Sequence, residues 1–262
     1  MRRFDRLEFE DKQEKSQANA ETQRHARTDD RDEQHWIKAA SEERRNGMHE
    51  AALRYYSRAL ELDKSLVTGW VGQVQMLIAL SEYPEAELWS RKALEVIKNN
   101  ADLLAGRGQA LCRMGDLKNA QASCDAAIGQ QGMFSYPWVV RGELMLSRKE
   151  DIDEYCFDKA TQLDGDWLVL LEIGVIYLHY GRATRALQRT RAAVEKAPDH
   201  AYCWHCQGVC ELALGLTGSA QKSFQHCLGL APNHPLARQS INEMNNNRRI
   251  LRSFFRRLFH FA

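Results

Sequence analysis

The feature that most constrains this chain is a ladder of small residues that recurs every 33 or 34 positions. The ladder consists of Ala59, Ala93, Ala127, Ala160, Ala193 and Cys227, and the successive spacings are 34, 34, 33, 33 and 34 residues. A second ladder of small residues comprises Ala52, Ala86, Ala120, Ala186 and Ala220, and a third, of bulky residues, comprises Trp36, Trp70, Leu104, Trp138, Leu170 and Trp204. A period of this length predicts a stack of helix pairs, because one pair alone cannot bury its apolar face.

A turn residue separates the two helices of nearly every predicted pair. The turn positions hold Gly47, Ser81, Gly115, Gly181 and Gly215, and glycine suits a left-handed backbone conformation. The most complete copy of the pattern runs from residue 201 to 234 and carries Trp204, Gly208, Gly215, Ala220, Phe224, Cys227 and Pro232. Over residues 33–234 the chain resembles the tetratricopeptide repeat (TPR) family. That resemblance implies an all-α, right-handed solenoid of about six helix pairs, closed by a C-terminal capping helix.

The pattern divides the chain into four parts. Residues 1–32 form a charged tail that we expect to be mobile, residues 33–234 form six repeats, residues 235–247 form the capping helix, and residues 248–262 form a basic amphipathic helix. The fourth repeat is irregular, because Asp153 stands where the other repeats have a small residue.

The resemblance also implies a binding surface, since TPR arrays line their concave groove with the first helix of each pair. The positions that it assigns to this groove are mixed polar in repeats 1–3 and largely apolar in repeats 4–6. The apolar part suits a peptide or an amphipathic helix. The predicted groove residues are Val139, Leu168, Leu171, Val175, Leu178, Tyr202, His205, Val209 and Leu212. The alternative is that several of these side chains pack between helices.

The C-terminal segment 248–262 has one apolar and one basic helical face. The apolar face comprises Ile250, Leu251, Phe254, Phe255, Leu258 and Phe259, and the basic face comprises Arg248, Arg249, Arg252, Arg256 and Arg257. Such a helix can lie on an anionic membrane, insert into a groove of a partner or of this chain, or pack against the last repeat. An apolar face of this size is costly to leave in water.

Composition and motifs argue against several other functions. The formal net charge is only +1, so we expect no nucleic-acid partner. We found no phosphate-binding loop, nucleophile elbow or zinc-protease motif, so we expect no enzymatic activity, catalytic residue or cofactor. Cys203, Cys206 and Cys210 share a helix face, but they fall at packing positions and predict core thiols rather than a metal site.

These observations favour a non-enzymatic scaffold or adaptor that binds a protein segment in its groove. Seven cysteines and no signal-peptide pattern at the N-terminus predict a cytoplasmic location, membrane-peripheral if the C-terminal helix binds lipid. Two alternatives stay open: an assembly or localisation factor anchored by residues 248–262, and a scaffold that self-associates by placing this segment in a neighbour's groove.

Overall fold

The computed structural model describes residues 32–246 of the 262-residue chain. The N-terminal tail proposed for residues 1–32 therefore lies outside the described residues except for Asp32. The amphipathic segment 248–262, with all its proposed contact residues, also lies outside them.

Thirteen α-helices and no strand occur in the described range, which confirms the all-α repeat solenoid predicted from the sequence. The helices are α1 Glu33–Arg45, α2 His49–Leu62, α3 Val67–Ala79, α4 Tyr83–Val96, α5 Ala101–Arg113, α6 Leu117–Ile128, α7 Ser135–Arg148, α8 Asp153–Leu163, α9 Trp167–His179, α10 Ala183–Lys196, α11 Ala201–Ala213, α12 Thr217–Leu230 and α13 Pro235–Asn246. The first twelve form six successive antiparallel pairs, and α13 packs on the last pair.

The small residues of the ladder allow the helices to approach closely. Ala59, Ala93, Ala127, Ala160, Ala193 and Cys227 are all fully buried. In two pairs, a glycine of the first helix faces an aromatic ring of the second helix. A Cβ on Gly208 would lie 2.6 Å from the Phe224 ring, and a Cβ on Gly142 would lie 2.5 Å from the Phe157 ring. Close packing of this kind makes the apolar core continuous from pair to pair.

The fourth pair accommodates Asp153 by giving its carboxylate two partners. Asp153 is the first residue of α8, and its side chain is buried. Oδ2 accepts hydrogen bonds from the Tyr177 hydroxyl at 2.8 Å and from Arg185 Nη1 at 2.9 Å. A carboxylate is also favourable at the positive end of a helix dipole, so an acidic side chain can replace alanine at this position.

The first helix pair contacts the fifth and sixth pairs, far away in sequence. Arg44 forms an ion pair with Glu172, and Arg45 binds Asp166 through two hydrogen bonds of 2.8 and 3.2 Å. The turn at Gly47 lies against the ring of Tyr202. We call these three contacts the closing contact, since they join the two sides of the space enclosed by the first helices of the pairs.

Candidate functional site

Three cavities lie between the first helices of the pairs. Cavity A, of about 130 Å³, is polar mainly toward α1 and α5 and apolar mainly toward α7, α9 and α11, although α3 also contributes Met76, Ile78 and Ala79 and α9 contributes Glu172. The polar side includes Arg44, Gln75, Gln109 and Arg113, and the apolar side includes Val139, Leu168, Leu171, Val175 and Tyr202. The two sides therefore offer different chemistry to anything that enters.

Cavities B and C continue cavity A in two directions. Cavity B, of about 540 Å³, shares His49, Ala79, Ser81, Val175 and Tyr202 with cavity A and extends to Leu178, Cys206, Val209, Cys210 and Leu236. Cavity C, of about 500 Å³, shares Arg44, Gln75, Tyr136, Val139, Leu168 and Glu172 with cavity A and extends to Asp102, Asp164 and Asp166. Because neighbouring cavities share wall residues, we treat the three as one channel.

A hydrogen-bonded cluster organises the polar wall of the channel around the fully buried carboxylate of Glu143. Arg113 forms an ion pair with it, Gln109 Nε2 donates to it at 2.6 Å, and the Tyr180 hydroxyl donates to it at 3.3 Å. The Tyr136 hydroxyl donates to Gln109 Oε1 at 2.5 Å and so holds the amide in one orientation. Burial lowers the pKa of Arg113, but Glu143 and Tyr180 raise it overall, so the guanidinium stays charged.

Arg44 lies where cavities A and C meet. Its Nη1 donates to Gln75 Oε1 at 2.6 Å, and its Nη2 is paired with Glu172. The Nε atom of Arg44 is buried and has no hydrogen-bond partner among the described residues. A buried donor without an acceptor is destabilising, so this wall retains one unused hydrogen-bonding group.

Seven of the nine predicted groove residues line the channel: Val139, Leu168, Leu171, Val175, Leu178, Tyr202 and Val209. Most are nearly inaccessible to solvent, whereas Val175 is 36% exposed. Leu212 packs instead in the core with Val209 and Phe224. The His205 ring lies 6.0 Å from that of Tyr202 and 5.7 Å from that of His234, and its Nε2 lies 3.3 Å from Ser240 Oγ. These two residues line none of the three cavities.

Sequence reasoning did not identify His49, Ser81, Glu172 and Ile176 as wall residues. His49 and Ser81 lie at or next to the turns between paired helices, outside the repeat positions expected to line the groove. Glu172 reaches the channel on α9, and its partner Arg44 is 128 positions away in sequence. No local pattern in the sequence marks that pairing.

The described range contains no group of three or more His, Cys, Asp or Glu side chains placed to hold a metal ion. Among the same residues, no helix is both long and apolar enough to cross a membrane.

No protein-family model and no curated protein sequence matches this chain. Solved structures do match. TTC0263, a thermophilic TPR protein in Thermus thermophilus, is 19% identical, with a TM-score of 0.53 over 69% of this chain and 99% of that one. A tetratricopeptide repeat protein from Parabacteroides merdae is 17% identical, with a TM-score of 0.46 over 86% and 84% of the two chains. YrrB, described as a TPR protein with an unusual peptide-binding site, is 19% identical, with a TM-score of 0.41 over 71% and 97%. The likeness to TTC0263 shows the fold.

Proposed function

This chain is a tetratricopeptide repeat protein by fold, and from that premise we propose that it is a non-enzymatic adaptor that binds an extended segment of a partner protein in its channel. The observation that carries the proposal is that cavity A shares the wall residues Val139 and Leu168 with cavity C and the wall residues Val175 and Tyr202 with cavity B. A concave, mainly apolar surface with a few polar groups is the usual form of a binding site.

The dimensions favour an extended segment over a helix. An α-helix with its side chains is about 10–12 Å across, so one 5.4 Å turn occupies roughly 500 Å³, whereas cavity A, the smallest of the three cavities, has a volume of about 130 Å³. An extended segment can place single side chains in successive cavities while its backbone groups bond to the amide and guanidinium groups of the polar wall. A full turn of helix exceeds the volume of cavity A.

The test is a selection of peptides from a random displayed library on the full chain, followed by titration of a fluorescent copy of a selected peptide. We expect Val175→Glu to weaken binding by more than about tenfold, because it places a charge on the apolar wall where cavities A and B meet. Val67→Glu is the matched control, since Val67 is a helical valine of nearly the same exposure, 37% against 36%, and lines none of the three cavities.

Equal affinities for the two variants would show that the peptide binds elsewhere. A library that yields no peptide sensitive to Val175→Glu would contradict the proposal itself. A cytoplasmic location is part of the same proposal and is checked by fractionation of cells that express the full chain.

Residues 248–262 support a second candidate function, membrane attachment or self-association. The exposed face of α13 carries Arg238, Gln239 and Asn242, so it offers no apolar surface to the apolar side of this segment. We propose that the segment binds an anionic membrane. The full chain should co-sediment with vesicles of anionic lipid but not of neutral lipid, and a chain that ends at Asn247 should bind neither. If only the full chain forms oligomers by light scattering and does not co-sediment, self-association replaces membrane binding.

A further inference from the structure

The closing contact consists of two ion pairs and one contact between a backbone turn and an aromatic ring, and differs from the other interfaces of the array. Extensive helix packing joins α1 to α2 and α3, and α9 to α10, but no such packing joins α1 or α2 to α9 or α11. The Arg45–Asp166 pair is 36% exposed on both sides, and the Arg45 guanidinium lies 4.5 Å from the centre of the Trp167 ring. Ion pairs at this exposure contribute little and are screened by salt.

The third part of the closing contact depends on glycine. Gly47 has a φ of +76°, and a Cβ there would lie only 2.2 Å from Cε2 of Tyr202. The corresponding turn glycines Gly115, Gly181 and Gly215 also have positive φ, yet a Cβ on any of them would meet no atom within 4 Å. Turn geometry alone therefore does not account for the close approach at Gly47.

The same turn forms one wall of cavity B. Gly47, Met48, His49 and Glu50 face the α11 residues Tyr202, Cys206 and Cys210 across it. Separation of the turn from Tyr202 therefore widens cavity B directly, and loss of the Arg44–Glu172 pair widens the junction of cavities A and C. Because α1 and α2 stay packed on each other and on α3, this separation does not unfold the first pair.

From this geometry we infer that the first helix pair is a gate that controls entry to the channel. In the closed position, Arg44, Arg45 and Gly47 contact α9, the residue before it and α11, and most of the apolar wall, though not Val175, is shielded from solvent. In the open position, the wall is accessible to a partner segment. The gate regulates the site of the proposed function and in that respect rests on it, although its opening can be measured without any partner.

Native cysteines provide the measurement. Cys206 and Cys210 line cavity B, whereas Cys124 and Cys227 are buried between helices and line none of the three cavities. Rates of alkylation by N-ethylmaleimide, read for each cysteine by mass spectrometry, therefore separate gate opening from unfolding. Gly47→Ala should raise the rates at Cys206 and Cys210 by about tenfold and leave Cys124 and Cys227 unchanged.

Gly181→Ala is the matched control. It has the same turn position and a similar φ of +69°, so it carries the same backbone strain without the clash with Tyr202. If Gly47→Ala and Gly181→Ala give the same rates at Cys206 and Cys210, the gate is ruled out.

A charge exchange tests the ionic part and remains informative if Gly47→Ala fails to fold. Arg44→Glu and Glu172→Arg should each accelerate alkylation of Cys206 and Cys210, and the double variant, which restores opposite charges, should return the rates toward those of the unmodified chain. Acceleration in the double variant as large as in the single variants would overturn the ionic closing contact.

The link to binding has its own readout. Gly47→Ala should raise the association rate constant of the selected fluorescent peptide by the same factor as the alkylation rate. Gly181→Ala should leave the association rate constant unchanged. Faster alkylation with unaltered association would show that the first pair moves without controlling the site. Failure of the library selection would contradict the proposed function but would leave the alkylation result intact.

Discussion

Three histidines illustrate how burial in the array determines the charge of single residues. Burial lowers the pKa of His205 to about 3, with a further contribution from His234. Burial also lowers the pKa of His49 to about 4, together with Arg44, and that of His179 to about 4, where Arg113 acts in the same direction and Glu143 opposes it. All three imidazoles are therefore neutral in the folded chain near pH 7.

We predict that the free energy of unfolding decreases as the pH falls below 6.5. In that range the unfolded chain binds protons at these histidines while the folded chain does not, so stability is fully present above pH 6.5 and is lost toward the folded pKa values. His205 alone lowers the free energy of unfolding by about 1 kcal/mol for each pH unit between about 6 and 4. His205→Phe should reduce this slope in urea titrations at several pH values. An unchanged slope would show that His205 is protonated in the folded state.

At the residue scale, sequence reasoning applies best to positions that have one local role. The repeat register predicts Val139, Leu168, Leu171 and Val175 for the groove, because the inner face of a helix follows from its period, and these side chains line cavity A. It did not pair Arg44 with Glu172, because this contact depends on how several interfaces add up along the array. It did not pair Asp153 with Tyr177, because that contact depends on side-chain packing between the neighbouring helices α8 and α9. It did mark Asp153 as an irregularity, which its buried hydrogen bonds now explain.

The helices in this array are capped differently at their N-terminal and C-terminal ends. Three helices have a side-chain cap that accepts a hydrogen bond from a backbone N–H in the first turn: α5 is capped by Asn100, α6 by Asp116 and α9 by Asp166. The other helices from α2 to α12 lack a side-chain cap at this end. The ends of the first helices of the pairs rely on a left-handed residue. Glycine supplies it in four pairs, but Ser81 and Lys149 supply it in the second and fourth pairs, with φ of +62° and +60°.

We predict that Lys149→Gly stabilises the chain and Gly181→Ala destabilises it, each by about 1 kcal/mol. Lys149 is exposed and ends α7, so glycine there removes backbone strain without loss of packing. Gly181 occupies the corresponding place after α9, and alanine there adds strain without a steric clash. Thermal unfolding of the two variants measures both effects. A loss of stability in Lys149→Gly would mean that the lysine side chain contributes more than the strain costs.

On the scale of the whole array, α13 is an end helix with two unlike faces. Leu236, Ile241 and Met244 pack on α11 and its surroundings, while Arg238, Gln239 and Asn242 are exposed to solvent. A repeat array needs such a helix because every repeat otherwise presents an apolar face to the next.

We predict that a chain ending at Asn247 keeps the melting temperature of the full chain, whereas a chain ending at Asn233 melts roughly 10 °C lower. The shorter chain loses α13 and exposes apolar groups of Tyr202, Cys206 and Val209. Differential scanning calorimetry of the three chains measures the difference. Equal melting temperatures for the chains ending at Asn233 and Asn247 would show that α13 does not stabilise the sixth pair.

The repeat period was sufficient to predict the class of fold and the order of helices, since each pair contacts mainly its neighbours. The closing contact could not be predicted in the same way. The closing contact depends on the rotation of each helix pair relative to the pair before it, summed over several pairs. A small change of this angle at each interface moves the first pair away from the fifth.

The closing contact also has a consequence for the order of events during synthesis. Arg44 and Glu172 are 128 residues apart, and a ribosome that adds about 5–20 residues per second needs on the order of ten seconds to add that many. Over this interval the first pair can fold on α3 and α4, but its contacts on α9 and α11 do not yet exist. Of the apolar wall, Val139 is also made before Glu172, whereas Val175 and Tyr202 are made after it. Every newly made chain therefore passes through a stage in which a chaperone can reach the residues of α1, α3 and α5 that later line the channel, before the apolar wall opposite them is complete.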